Sequence, residues 1–341
     1  MAQELPNFPG FTGIKFIAST HFSTVYFGIA ESDKQKVALK VVDIFELPRE
    51  KREKCLQEAE TLRKLNHPHI VKCLDSFMHE NTFVMVMEWA ERGDLKQQFR
   101  KARKSKEVWS EEKIWRYFYQ ICLAVCYMHM EHRMMHRDLK PANIFVNGRG
   151  ALCVGDLGLV RQFSEETQRA FSKVGTPVYM SPQIMQGSGY DFANDIWSLG
   201  CILYELCVFR PPFAIDSNNL AQLFATIAKG DYAPLPTTYS SACRQLCQRM
   251  LSARAEERPG IEEVCHIAKK ELIAWQKELQ LMGRGGGKRP SASPQPIPPN
   301  VENTPVKQKP TPSSSAASAA SAASAANEIV KETGDEEHLA R

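Results

Sequence analysis

The composition of the chain changes character near residue 88, and this change limits the fold more than any single motif. Residues ~14–88 are rich in β-branched and aromatic side chains broken by short turns, the pattern of half-buried strands. Ile14–Ile29 reads as two strands around a tight loop, Lys36–Val42 as a third and Thr82–Met87 as another. One charged helix, about Leu47–Leu65, lies among them. Residues ~89–282 are mainly helical. Glu111–Met130 is a long amphipathic run, Asp195–Val208 is apolar nearly all round and belongs inside a core, and Ile261–Leu281 is a final helix. On that last helix Leu272, Trp275, Leu279 and Met282 form a stripe expected to pack on the large lobe. Strands followed by helices, rather than alternating with them, predict an α+β chain in two lobes. One is a small antiparallel sheet carrying a single helix; the other is larger and mainly helical.

From Gly283 the sequence turns to Pro, Ser and Ala with few large apolar residues. Such a segment cannot bury enough surface to offset its chain entropy, so 283–341 is expected to be a disordered tail. Ser293-Pro294, Thr304-Pro305 and Thr311-Pro312 are candidate proline-directed phosphorylation sites within it, and 290–299 suits a polyproline helix. The expected division is a short extension, 1–13, a folded unit, 14–282 (lobes 14–88 and 89–282), and the tail. A formal charge of +4 over 341 residues gives no sign of nucleic-acid binding. The basic cluster Arg100–Lys106 reads as a solvated loop, with a docking patch for an acidic partner as the alternative. Ten cysteines include no CxxC pair and no zinc-ligand spacing; Cys122/Cys126 and Cys243/Cys247 fall in apolar helical patterns, as core residues. Met1–Gly10 is polar, and the longest apolar run, Leu199–Phe209, is broken by Glu205 and too short for a bilayer. The expectation is a soluble intracellular protein in a reducing compartment, without a membrane partner: cytoplasmic, with cytoskeletal or nuclear sites as alternatives.

The densest chemistry lies in His136-Arg137-Asp138-Leu139-Lys140-Pro141-Ala142-Asn143. Phosphoryl transfer needs an acceptor hydroxyl aimed in line and metal ions on the phosphate oxygens. Asp138 can accept the hydroxyl proton, Lys140 can offset charge on the moving group, and Asn143 offers a neutral oxygen to Mg²⁺. Thirteen residues after Asn143, Asp156-Leu157-Gly158 adds a hard carboxylate suited to the same cation. Lys40 ends the strand segment Val37-Ala38-Leu39-Lys40 and can hold the α- and β-phosphates of ATP if a carboxylate positions it. Glu58 and Glu60 both qualify by position. Glu58 shares a helical face with Leu62 and Leu65, whereas Glu60 shares one with Lys64, which selects Glu58.

Further along, Val174–Gln183 looks like the end of an activation segment. Asp195-Ile196-Trp197-Ser198-Leu199-Gly200 resembles the buried aspartate that supports a catalytic loop, and Arg258-Pro259 resembles the arginine near the end of such domains. In this order the motifs resemble those of the eukaryotic protein kinases. More narrowly, Asp156-Leu157-Gly158-Leu159, Leu65-Asn66-His67-Pro68-His69-Ile70, Gly93-Asp94-Leu95 and Tyr232-Ala233-Pro234-Leu235-Pro236 resemble the NIMA-related kinase family. The likeness covers most of 14–275 and none of the tail.

The resemblance implies a bilobal protein kinase fold that transfers the γ-phosphoryl group of ATP, with Mg²⁺, to serine or threonine of protein substrates. It implies a monomeric catalytic domain. Asp138 would be the base, Lys40 with Glu58 the phosphate clamp, and Asn143 with Asp156 the metal ligands. Met87 would be the gatekeeper before a hinge, Glu88–Ala90, that binds adenine. Ile17, Val25 and Ala38 would line the nucleotide site under the loop Ala18-Ser19-Thr20-His21-Phe22-Ser23. Leu62, Leu74, His136 and Leu157 would stack as an apolar spine. Ser172 matches the family's activating serine, a target of an upstream kinase; its phosphate would bridge to Arg137, with Arg161 as a further partner. Lys140 and Thr176 fit the serine/threonine pattern. The family's roles in the cell cycle and on microtubules or cilia come with the resemblance.

Two positions depart from the pattern. The loop 18–23 should carry three glycines and has none. Glycine lets backbone approach phosphates closely, whereas Thr20 is β-branched and stiff. Retention of Lys40, Glu58, Asp138, Asn143 and Asp156 favours a tolerated loop over the alternative, a pseudokinase or nucleotide-binding scaffold. The second departure is Gln183, which stands where a glutamate normally pairs with the equivalent of Arg258.

Overall fold

Side-chain alternation along five strands organises the small lobe. In the computed structural model, described over residues 5–19, 23–44, 49–156, 177–189, 191–214 and 219–284, these strands are β1 (Phe11–Ser19), β2 (Ser23–Ala30), β3 (Lys36–Asp43), β4 (Cys73–His79) and β5 (Thr82–Glu88). They form one antiparallel sheet in the order β1-β2-β3-β5-β4. On one face Val42, Phe83 and Met85 pack with Ala59 and Leu62 of helix α1 (Arg49–Lys64). On the other, Val37, Leu39, Val84 and Val86 pack with Phe8. Successive side chains on a strand point to opposite faces. Lys40, two residues before Val42, is therefore turned to the α1 face, where it is buried.

The sheet exceeds what the sequence pattern predicts in two places. β4 carries Asp75, Ser76 and His79, and a register shift between Cys73 and Asp75 breaks its alternation, so no period of two betrays it. The fold also begins before residue 14. β1 starts at Phe11, and Phe8 is 2% exposed between the rings of Tyr26 and His79.

The large lobe is built around α5 (Phe192–Val208), buried on nearly every side as its sequence requires. α3 (Glu111–Cys126) packs against it and continues into a wider π-helical turn, Tyr127–Glu131. Gly200 lets α5 approach α7 (Ser241–Met250): a Cβ there would sit 2.9 Å from the Met250 Cβ. α4 (Pro182–Met185) and α6 (Leu220–Lys229) complete this side. α8 (Ile261–Arg284) lies along α3 and buries Val264, Ala268 and Leu272, with Trp275 against the core. The stripe ends there: Leu279 is 50% exposed, because α8 runs past the end of the packed surface, and the Met282 side chain lies outside the described residues. No described helix is long and apolar enough to cross a membrane. The cluster Arg100–Lys106 is not a solvated loop. It forms the exposed side of α2 (Leu95–Ser105), whose Leu95, Phe99 and Ala102 are buried. The tail reading, 283–341, falls almost wholly outside the described residues.

Two buried polar contacts brace this lobe. Arg258 donates to Gln183 Oε1 (2.7 Å), Ser252 O (2.9 Å) and Ala193 O (2.9 Å), and its guanidinium lies 4.9 Å from the Trp197 ring. Burial pulls its pKa down to about 10, so it stays charged at neutral pH. Gln183 serves where glutamate is expected because its Nε2 also donates to Ala253 O (2.8 Å), a carbonyl that a carboxylate would repel. The second contact is Tyr179 donating to Glu205 Oε2 (2.5 Å). Burial pushes the Glu205 carboxyl up to about 7, although the Tyr179 hydroxyl, Lys96 and Arg103 pull it down. Its folded pKa exceeds the unfolded value of 4.5. This contribution to stability is therefore complete below pH 4.5 and is lost as pH rises through about 7. Relative to wild type, Glu205→Gln should gain up to about 3 kcal/mol of stability between pH 4.5 and 8, measured by urea denaturation. A pH-independent difference would refute this account of Glu205.

Candidate active site

Asp195 sits in the first turn of α5, where its charge is favoured by the helix dipole. Its Oδ2 accepts from the backbone N–H of His136 (2.7 Å) and from His129 Nε2 (2.8 Å); its Oδ1 accepts from the N–H of Arg137 (3.0 Å). The role of Asp195 expected from sequence is realised in these three bonds. They hold Arg137 at φ 66°, a left-handed conformation that costs a non-glycine residue about 1–2 kcal/mol.

The loop so held presents Asp138. Its N–H donates to His136 Nδ1 (3.2 Å), which places the imidazole proton on Nε2, donating to Gly155 O (3.1 Å). Burial lowers the pKa of His136, consistent with this neutral form. Asp138 Oδ2 accepts from Lys140 Nζ (2.7 Å) and from Asn143 Nδ2 (3.0 Å). Asn143 Nδ2 also donates to Asp138 O (2.8 Å), which leaves Oδ1 as its atom for a cation.

The thirteen-residue spacing from Asn143 to Asp156 is the length of a hairpin. β6 (Ile144–Val146) and β7 (Leu152–Val154) pair antiparallel with Ile144 opposite Val154. The pairing brings the residues flanking the two strands together, and Gly155 N–H donates to Asn143 O (2.9 Å). Glycine is required at 155 because a Cβ would lie 2.7 Å from Val71 Cγ2. Asp156 follows at φ 55° and accepts an ion-paired hydrogen bond from Lys40 Nζ through Oδ1. Burial alone would raise the Asp156 carboxyl. The Lys40 ammonium outweighs that and, with Lys140 and His136, holds it below the ordinary value. Lys40 reaches across from the small lobe, so this pair joins the two lobes.

Behind Lys40 a cavity of about 20 Å³ is lined by Leu62, Val71, Cys73, Met85, Met87, Gly155 and Asp156. That is space for little more than one water. Met87 pairs with Ala38 across β5 and β3, at the cavity edge. Glu88 ends β5, and Ala90 O accepts from Gly93 N–H as the chain turns into the large lobe. Ala18 pairs with Val25, and Ser19 with Thr24, whose hydroxyls are 3.1 Å apart. Ile17 is 47% exposed, an apolar surface available to a ligand, and Ser23 is buried. Thr20, His21 and Phe22 lie outside the described residues, as do Leu157, Ser172 and Thr176 and the side chain of Glu58.

The structure corrects one residue of the spine. Leu74 packs with Phe8, Val37 and Val86 on the far face of the sheet, and Cys73 is the β4 residue that joins Leu62 at the cavity. The bulge in β4 hides this parity from the sequence. Sequence reasoning also misses Val71, Met85 and the Tyr179–Glu205 contact; only the alternation of β5 signals the inward direction of Met85.

The protein kinase domain family matches residues 11–268. Similar curated proteins include human serine/threonine-protein kinase Nek2, 36% identical over 264 residues, covering 75% of this chain and 58% of the relative. Mouse serine/threonine-protein kinase Nek3 is 36% identical over 250 residues (73% and 47%). The probable serine/threonine-protein kinase nek3 of Dictyostelium discoideum is 34% identical over 258 residues (74% and 23%). The chain thus spans from about a quarter to three fifths of the length of these relatives. The match over most of the described residues, joined to the Lys40–Asp156 and Asp138–Asn143 geometry, shows that this chain belongs to the protein kinase family, with Nek (NIMA-related) serine/threonine kinases as its relatives.

Proposed function

We propose that the protein transfers the γ-phosphoryl group of ATP to serine or threonine of protein substrates. The observation that carries this reading is the convergence of Asp138, Lys140 and Asn143 within hydrogen-bonding reach, facing Lys40 and Asp156. The donor set fits the nucleotide and its metal. Among the described residues no three His, Cys, Asp or Glu side chains cluster as a metal cage. A single carboxylate with an amide oxygen suits Mg²⁺, which usually takes few protein ligands and completes its shell with phosphate and water. Bound MgATP supplies the phosphoryl group and neutralises its oxygens. Asp138 orients the acceptor hydroxyl and accepts its proton; Lys140, already on Asp138, offsets charge beside it. In the structure Lys40 and Asp156 neutralise each other; with MgATP bound, Lys40 would hold phosphate oxygens and Asp156, with Asn143, would hold the cation. Glu58 is the proposed partner of Lys40 in that bound state.

Arg137 Nε is buried and lacks a hydrogen-bond partner among the described residues. A phosphate on Ser172 would supply one, which supports activation by phosphorylation from an upstream kinase. The tail is proposed to be dispensable for chemistry. A role in cell-cycle, microtubule or cilium regulation rests on the family resemblance.

Three measurements test this. Wild type should phosphorylate a generic protein on serine and threonine, and Lys40→Met should not. Restoring glycine with Ala18→Gly and Thr20→Gly should lower KM for ATP roughly five- to thirty-fold, the worth of one or two regained amide contacts. Wild-type transfer no greater than that of Lys40→Met would favour the pseudokinase alternative, and an unchanged KM would refute the account of the loop. After treatment with an upstream kinase, Ser172→Ala should show a kcat roughly tenfold below that of phosphorylated wild type, as expected for loss of one charge-assisted hydrogen bond. Unchanged kcat would remove Ser172 as the activating site.

A further inference from the structure

Helix α2 carries six basic residues, Lys96, Arg100, Lys101, Arg103, Lys104 and, at its C-cap, Lys106, with no acidic residue from 96 to 106. All six are exposed. None forms an ion pair with any described residue. Like charges one turn apart, as in Lys96/Arg100 and Arg100/Lys104, repel and weaken a helix. The helix holds because its other side is anchored. Asp94 caps it by accepting from Gln97 N–H, and Phe99 packs on Trp109 (5.6 Å) and Phe209 (5.8 Å). The lobe thus keeps an anchored helix whose exposed basic residues form no ion pair with a described residue.

Its position gives that charge a use. α2 packs on the turn Pro141–Asn143, which ends the loop carrying Asp138. The ring of Phe209, just past the end of α5, fixes the other contact, one turn after Glu205. Lys96, Arg100 and Arg103 follow i, i+4, i+7 and share one side of the helix. Through the Phe99–Phe209 contact the same helix is joined to the end of α5, which also carries Glu205, the acceptor of the Tyr179 hydroxyl. α2 thus borders the loop that carries Asp138, where the kinase reading above puts the substrate hydroxyl.

We infer that Lys96, Arg100 and Arg103 form a substrate-docking surface that selects proteins with a run of Asp or Glu flanking the phosphorylated residue. The proposal rests on the kinase reading above and adds the substrate class. The occupant is acidic because three unpaired cations on a pre-formed surface complement carboxylates, and a neutral or basic segment would gain nothing from them. The pairs stay exposed, so they act on KM and fall with salt, leaving the chemical step unchanged.

The test uses the full chain and two serine peptides, one flanked by Glu and Asp on both sides and its isosteric Gln and Asn counterpart. Wild type should show a KM roughly five- to tenfold lower for the acidic peptide at low ionic strength. The advantage should shrink at 0.5 M NaCl (an assay setting of roughly that strength screens exposed pairs). The variant Lys96→Gln/Arg100→Gln/Arg103→Gln should lose the preference while keeping kcat on both peptides and KM on the neutral one. Activity on the neutral peptide reports the kinase reading separately. Equal KM values for the two peptides in wild type, or a preference that survives the triple substitution, would overturn the proposal. So would a preference that changes only when residues 327–341 are present, because the chain's own acidic stretch Glu328–Glu337 would then be the occupant.

Discussion

The carboxylate of Asp195 is the point on which the active site depends. It accepts three hydrogen bonds in a buried place, two of them from consecutive backbone amides, His136 and Arg137. Backbone amides that are buried must be satisfied, and a left-handed arginine persists only where its surroundings hold it. One side chain meets both needs. It does so from α5, the most thoroughly buried helix of the lobe, so the catalytic loop inherits the rigidity of the core. Asp138 needs no wide network of its own, because its backbone is fixed from behind and its side chain is held by Lys140 and Asn143.

The other half of the site is positioned by strand geometry. Lys40 points into the cleft because Val42 and Ala38 share its parity on β3, and Asp156 meets it because the β6–β7 hairpin returns the chain to Asn143. Two lobes of different architecture are thereby joined by an ion pair between their functional residues. A polyanion and a cation entering the cleft would each replace one member of that pair.

Much of this was legible in the sequence. The order of strands and helices, the octapeptide 136–143, Asp156, Lys40 and the buried α5 all follow from pattern and spacing. The exceptions share a cause: a tertiary contact overrides a local pattern. β4 is polar on one side and bulged, so its alternation is broken and Leu74 stands in for Cys73. Phe8 looks like part of a loose terminus until β2 and β4 give it Tyr26 and His79 to pack on. Leu279 looks like a continuation of a packed stripe, but α8 has by then outrun the lobe. The basic run Arg100–Lys106 resembles a loop by composition because only Leu95, Phe99 and Ala102, spaced three and four apart, mark the helix. Gln183 reads as a lost charge, and only the Ala253 carbonyl explains why an amide fits there.

The most direct test of the central claim is the turnover of Asp195→Asn at saturating ATP and substrate. Asparagine matches the shape but replaces one acceptor oxygen with an amide nitrogen, which must face a donor from His136, Arg137 or His129. If the carboxylate holds the loop, kcat should fall roughly a hundredfold or more, as for misplacement of a catalytic group by about an ångström, while KM for ATP, set largely by the small lobe and hinge, changes little. A kcat within a factor of about two of wild type would amount to less than 0.5 kcal/mol and would contradict the account, because the loop would then be held by something other than Asp195.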